Sequence, residues 1–188
     1  SLKDPSQIYA EHSPWIPNPI VWANYTEVWK VLPFATFYIN SLIITIVPTI
    51  GALISSLLVA YGFARFDFPA KNILFYAVLS TMMIPSQVTI IPVFLIFKSL
   101  GWIDTFYPLI VPSFLGGGAF NIFLLRQFLM TIPRELDDAA KIDGCGSFDI
   151  LRKILTPLLK PALATIAILT FMGHWNDFMG PLIYINSM

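Results

Sequence analysis

The chain has 188 residues, of which 56% are hydrophobic and only 12% charged, and its eleven basic and eleven acidic side chains leave a net charge of zero. Soluble domains carry about a quarter charged residues, so this composition points to a membrane protein. The even charge balance gives no electrostatic footprint for nucleic acid. Cys145 is the single cysteine and cannot form an internal disulfide. His12 and His174 have no metal-ligand spacing around them, so no metal site is expected. No glycine-rich phosphate loop followed by Lys-Ser or Lys-Thr is present, and no acid–base cluster stands out, so neither ATP binding nor a catalytic residue is expected of this chain. The opening Ser1-Leu2-Lys3-Asp4-Pro5 lacks the apolar core of a signal peptide.

Residues 1–33 are polar and proline-rich, with Trp15, Trp22 and Trp29 among them. A helix starting at Asn18-Pro19 would put Trp22, Tyr25, Val28 and Trp29 on one face. Such aromatic faces settle at a membrane interface, and they also pack on loops of their own protein; both readings stand. The predicted domain boundary follows, with an extracytoplasmic segment over 1–33 and a transmembrane domain over 34–188. Between residues 31 and 64 there is no charge. About 20 apolar residues cross a bilayer, so a first span is expected near 37–63. Gly51 with Ser55, and Ala52 with Ser56, place small residues four apart, which lets a neighbour approach closely. Asn40 and Ser41 either hydrogen-bond across helices or line a transport route.

A charged turn over 65–71 leads to a second span near 72–97, interrupted by Pro85 and Pro92, which act as static kinks or as hinges. Gly101 marks a turn before a third span near 106–125. That span contains Gly116-Gly117-Gly118, where the backbone could unwind beside a cavity or pack against a neighbour. A fourth span is expected over 161–185. In it lies Asp177, the only acid within an apolar span; Asn176 and Asp177 border the route of a polar solute, or Asp177 is a hydrogen-bond anchor.

Between the third and fourth spans the charge density rises, and the pattern becomes two short helices joined by a glycine turn. Thr131 and Pro133 suit the start of the first helix, with Glu135, Asp137 and Asp138 near its positive end and Lys141 near its negative end. Gly144 suits a left-handed stop. Leu136, Ala139 and Ala140 fall on one shallow face. Ser147 is the expected cap of the second helix, whose apolar side is Ile150, Leu151, Ile154, Leu155 and Leu158. Thr156-Pro157 is expected to kink or end it. The loops at 65–71 and 126–160 together hold Arg65, Lys71, Arg126, Arg134, Lys141, Arg152, Lys153 and Lys160, against Lys3, Lys30 and Lys98 on the other side. The positive-inside bias therefore predicts a cytoplasmic 131–160 loop, with residues 1–33 outside.

This loop resembles the signature loop of the permease subunits of binding-protein-dependent ABC importers. Behind Glu135, the matching residues are Asp138-Ala139-Ala140, Asp143-Gly144-Cys145, Ile154 and Thr156-Pro157, in register. Asp138, Cys145, Leu151 and Thr156 depart from the family's usual Glu, Ala, Phe and Leu. Trp175-Asn176-Asp177-Phe178 and Met82-Met83-Ile84-Pro85 resemble the sugar-type members. The resemblance implies an all-α, polytopic transmembrane helix bundle of the importer-permease type in the cytoplasmic (inner) membrane, with four spans here and a first and last span of the full subunit missing. It implies transport of a small polar solute, a sugar or sugar derivative, driven by ATP hydrolysis on a partner. Peptides, amino acids or ions are the alternative solutes, and an ATP-independent channel is the alternative mechanism. The implied partners are a cytoplasmic ATPase dimer that binds the ATP, a second permease subunit that is a different chain, an extracytoplasmic solute-binding protein and membrane lipid. The implied coupling residues are Glu135, Asp138, Ala139, Ala140, Asp143, Gly144, Leu151, Ile154 and Pro157, and the candidate solute path is Asn40, Asn176 and Asp177.

Overall fold

The computed structural model describes residues 2–4, 7 and 15–187; His12 lies outside them. The chain divides into two units, Ser1–Leu42 and Ile43–Met188. In the first, helix α1 (Ala23–Val31) begins later than Asn18-Pro19, and Trp22, Tyr25, Val28 and Trp29 are all exposed. The Asn24 side chain donates to the Lys3 carbonyl at 3.0 Å, and Trp29 meets Phe34 edge-on.

Helix α2 (Phe34–Arg65) is the long apolar element, followed by α3 (Lys71–Ser80) and α4 (Ser86–Ser99). A short helical stretch α5 (Tyr107–Ile110) precedes α6 (Ala119–Thr131), α7 (Glu135–Ile142), α8 (Ser147–Leu158), α9 (Lys160–Trp175) and α10 (Met179–Tyr184). By length and apolarity Phe34–Arg65 and Tyr107–Thr131 can cross a membrane. Two more spans result when each bent pair counts as one, α3 with α4 at 103° and α8 with α9 at 80°. The first bend is more than a kink. Ile84 precedes a proline and is held extended (φ −84°, ψ 117°), and Pro85 itself has ψ 133°, so the helix direction is lost before α4 restarts. Pro92, by contrast, sits inside α4 without ending it. The expected fourth span over 161–185 is also divided: α9 stops at Trp175, and α10 starts at Met179.

The core lies towards one end of the Ile43–Met188 unit. It joins Ala60, Phe63 and Ala64 of α2, Phe75 of α3, and Leu125 and Leu129 of α6 to residues of the two-helix loop and α9, namely Ala140, Ile150, Leu151, Leu155, Leu159 and Ile166. Much of the remaining apolar surface is open, including Ile50, Ile54 and Leu58 on α2, as befits helices that meet lipid or other subunits.

The small residues of α2 do receive a close neighbour, but it is a short 3-10 turn and the unwound glycine stretch after it rather than a long helix. Residues 115–118 are non-helical, and Gly116, Gly117 and Gly118 all have positive φ. Ser55 Oγ donates to the Ser113 carbonyl at 2.8 Å, Gly51 lies under the Phe114 ring, and Gly117 lies against the Ala52 carbonyl. Asn121 closes the stretch by donating to the Gly117 carbonyl at 2.7 Å. A Cβ at Gly117 would collide with Ala52, whereas one at Gly116 would meet open space. Both sites carry the left-handed penalty of about 1–2 kcal/mol. Gly117→Ala is therefore expected to cost about 1–3 kcal/mol more than Gly116→Ala, read as the difference in thermal unfolding of the detergent-purified protein.

Candidate functional site

The two-helix loop is tightly terminated at its turn. Gly144 (φ +83°) donates its N–H to the Lys141 carbonyl at 3.0 Å, and Cys145 donates to the Ala140 carbonyl at 2.9 Å. This paired arrangement is the Schellman stop, and it needs the left-handed residue expected at Gly144. The expected side-chain caps are not formed. Thr131 ends α6, with its hydroxyl bonded back to the Phe128 carbonyl, and Arg134 stands at the α7 cap position. Gly146 stands at the α8 cap position, so Ser147 is already helical.

Helical spacing sorts α7 into two faces. Asp137 and Ala140 are buried, and Ala140 belongs to the core rather than to a shallow outer face. Glu135, Asp138, Ala139 and Ile142 form the opposite, exposed stripe, with Ile142 87% exposed. Asp138 pairs with Lys141 at 3.0 Å on that surface. Asp143 and Gly144 are exposed at the turn, and Phe148 projects beside it, 66% exposed. Ile142 and Phe148 were passed over in the sequence, although two large apolar residues flanking a polar glycine turn are a visible signal.

Helix α8 ends at Leu158, one residue past Pro157, close to the stop expected at Thr156-Pro157. Its middle, Ile150–Leu155, is a π-helix, and the wider turn accommodates a proline that supplies no amide hydrogen. The Thr156 hydroxyl donates to the Leu151 carbonyl at 2.7 Å, closing the widened turn. Leu151 and Leu155 are buried, Ile154 is half-buried and Pro157 is exposed. The extra residue shifts the apolar face, so Leu159 is buried in place of Leu158, which is 53% exposed. The chain then turns at Leu159, ahead of Lys160-Pro161.

Four contacts fasten the loop to the end of α2. Arg65 Nε lies 2.8 Å from Asp137 Oδ2, with both side chains almost wholly buried. Arg65 also donates to the Ile132 carbonyl at 3.0 Å, and Arg134 donates back to the Ala64 carbonyl at 3.3 Å. The Tyr61 hydroxyl donates to the Ser147 carbonyl at 3.0 Å. Neither Arg65 nor Asp137 stood out in the sequence: one reads as a turn charge and the other as a dipole-stabilising acid.

The candidate solute-path residues divide between the units. Asn40 is half-buried on α2 within Ser1–Leu42. Asn176 and Asp177 lie at the break between α9 and α10, both exposed. Asn176 donates to the Met172 carbonyl at 2.8 Å, while Asp177 Oδ1 accepts the Gly180 N–H at 3.0 Å and so begins α10. Asp177 also lines a cavity of about 320 Å³ with His174, Tyr184, Pro108, Leu109 and Ser113. The end of α10 is tied down by Asp104. Its backbone N–H donates to the Tyr184 carbonyl at 2.8 Å, and its Oδ1 accepts the Asn186 and Ser187 N–H groups at 2.9 and 2.8 Å. The bonds from Ser187 and then Asn186 hold the Asp104 carboxyl below its ordinary value of 3.8. Among the described residues, no three His, Cys, Asp or Glu side chains form a group that could hold a metal ion.

Apolar spans, broken helices beside a cavity, and a charged two-helix loop built into the core define a polytopic membrane protein of the permease class. Residues 52–188 match the family described as binding-protein-dependent transport system inner membrane component, and the chain belongs to that family. It is 34% identical over 186 residues to the sn-glycerol-3-phosphate transport system permease protein UgpE of Yersinia pestis bv. Antiqua (strain Antiqua), with 96% of this chain and 66% of that protein covered. It is 36% identical over 173 residues to the arabinooligosaccharides transport system permease protein AraQ of Bacillus subtilis (strain 168), covering 91% of this chain and 60% of that one. A chain in the crystal structure of a bacterial ABC transporter involved in the import of the acidic polysaccharide alginate superposes with a TM-score of 0.88 at 26% identity, covering 99% of this chain and 65% of that one. The chain thus spans slightly less than two thirds of the length of these relatives, and as a family member it is a multi-pass inner-membrane permease.

Removing one partner of a buried ion pair strands the other. Asp137→Ala is therefore expected to destabilise the protein by about 3–5 kcal/mol, and the double replacement Arg65→Met with Asp137→Leu by clearly less; thermal unfolding in detergent reads both. The Asp104 carboxyl, lowered in the folded protein, contributes stability that is fully present above pH 3.8 and lost as pH falls through its lower folded value. Asp104→Asn should remove that acid-side component, seen as a flatter dependence of unfolding temperature on pH below 4.

Proposed function

We propose that this chain is part of the membrane-spanning subunit of an ABC importer for a carbohydrate or a sugar derivative. ATP is bound and hydrolysed by a cytoplasmic ATPase dimer, a solute-binding protein delivers cargo at the outer face, and a second, different permease chain completes the route. The relatives named for glycerol phosphate, arabinooligosaccharide and alginate support the solute class. Eight of the eleven basic residues flank the two-helix loop side, which supports a cytoplasmic loop, with the 1–33 segment and its aromatic helix outside.

The observation that carries the coupling role is the two-faced loop. Its inner face is locked into the core by Ala140, Leu151, Ile154 and the Arg65–Asp137 pair. Its outer face offers Glu135, Asp138, Ala139 and Ile142, with Asp143, Gly144 and Phe148 at the tip and Pro157 farther along. In this reading the ATPase grips the outer face, and the inner face carries the displacement to α2 and α9. Gly144 keeps the tip rigid, so work is transmitted rather than lost in bending. The solute passes near Asn176 and Asp177, with the cavity at His174 and Asp177 as part of the route.

In the complete transporter, Ala139→Glu or Ile142→Asp is expected to lower solute uptake and ATPase co-purification by about tenfold or more, because a charge buried at an interface core costs several kcal/mol. Membrane levels of the permease should stay unchanged, since both positions are exposed. Normal uptake and normal ATPase recovery in both variants would remove this docking face.

A further inference from the structure

Where α2 ends, α3 begins and α6 ends, the structure contains a basic hollow of about 540 Å³, bordered by Arg65, Lys71, Arg126, Arg134 and, as the one acid, Glu135. A second hollow of about 540 Å³ adjoins it, sharing Lys71 and Arg126. The charges are unequally compensated. Arg65 is neutralised by Asp137, and Lys71 is 3.0 Å from Asp67. Among the described residues, neither Arg126 nor Arg134 has an ion-pair partner. Arg126 Nε is buried with no hydrogen-bond partner there, and its guanidinium lies 4.1 Å from the centre of the Phe75 ring. A buried donor left without an acceptor is unfavourable, the more so when the group is charged.

The setting specifies what would supply the missing acceptor. Arg126 lies five residues before the end of α6, roughly 7 Å inside it at 1.5 Å per residue. A long basic side chain at such a position can carry its charged head out towards the end of its helix while its stem lies along apolar surface. Exposed apolar side chains line the two hollows, Met130 (53% exposed) in the first and Ile73 (72% exposed) in the second. A free anion has no use for that apolar flank, and the acidic side chain of another protein would not require the hollow to lie among span ends.

We propose that this hollow binds the phosphodiester head group of an anionic membrane lipid, with Arg126 and Arg134 as the phosphate donors and the apolar flank receiving the first part of the acyl chains. The lipid braces the α2–α3 turn against the end of α6, next to the Arg65–Asp137 pair. Basic pockets between span ends on the cytoplasmic side of a membrane are suited to such head groups.

The test uses the full-length permease in its assembled transporter, purified in mild detergent. Native mass spectrometry with phosphatidylglycerol and phosphatidylcholine, each added at equal concentration, should give at least tenfold greater retention of phosphatidylglycerol. Arg126→Gln with Arg134→Gln should abolish that preference, while Arg126→Lys with Arg134→Lys should keep most of it. A phosphatidylglycerol with a photoreactive head group, used on the unaltered transporter, should label residues 63–75 and 126–135, so the outcome does not depend on any variant folding. Equal retention of the two lipids, labelling confined to other segments, or displacement of the lipid by millimolar inorganic phosphate would each overturn the proposal. So would labelling of 63–75 that disappears only when the ATPase is present, which would make the hollow a protein contact.

Discussion

The Arg65–Asp137 pair is the constraint on which the rest of this architecture depends. It joins the last residue of a 32-residue apolar helix to the inner face of a helix only eight residues long. Burial of both charges means that neither can be released without stranding the other, so the short helix cannot drift from the long one. The reciprocal bonds, Arg65 to the Ile132 carbonyl and Arg134 to the Ala64 carbonyl, fix its angle as well as its distance. Leu151, Leu155 and Leu159 then fill the space beneath it. The two-helix segment is thus a structural half of the core, and its outer surface is free to serve another molecule.

The long apolar stretches and the glycine turn were legible in the amino-acid order because they rest on local rules. A charge-free run over 31–64 can do little but cross a bilayer, and Gly144 sits where only a left-handed residue closes both bonds. The small residues of α2 were legible as a place of close approach, although the visitor is the 113–117 segment, the end of a 3-10 turn running into unwound glycines. What escaped was non-local. Arg65 and Asp137 are 72 positions apart, and nothing near either one announces its partner. Asp104 likewise looks like an ordinary turn acid until the 184–187 segment arrives beside it. Caps were overread because Thr131 and Ser147 are good capping residues placed one element too early or one position too late.

Asp177 illustrates how one side chain can satisfy two readings. It anchors the first turn of α10 through the Gly180 amide, and it faces a cavity shared with His174. A Cβ on Gly180 would strike the Asp177 carboxylate and crowd Leu109, so the first turn of α10 packs closely against both. A helix that stops and restarts beside a cavity leaves backbone groups facing inwards, which is tolerable at membrane depth only where water or protein meets them.

The π-turn of α8 has a consequence for anyone mapping this molecule from outside. Six residues there advance the chain by less rotation per residue than an ordinary helix would. Every side chain beyond Leu155 is therefore out of phase with a pattern extrapolated from Phe148. A hydropathy wheel drawn straight through 147–166 would place Leu158 indoors and Leu159 outdoors, the reverse of their exposures. Reporter groups introduced beyond that point need their azimuth counted afresh from Lys160, or their signals will be credited to the wrong side of the wall.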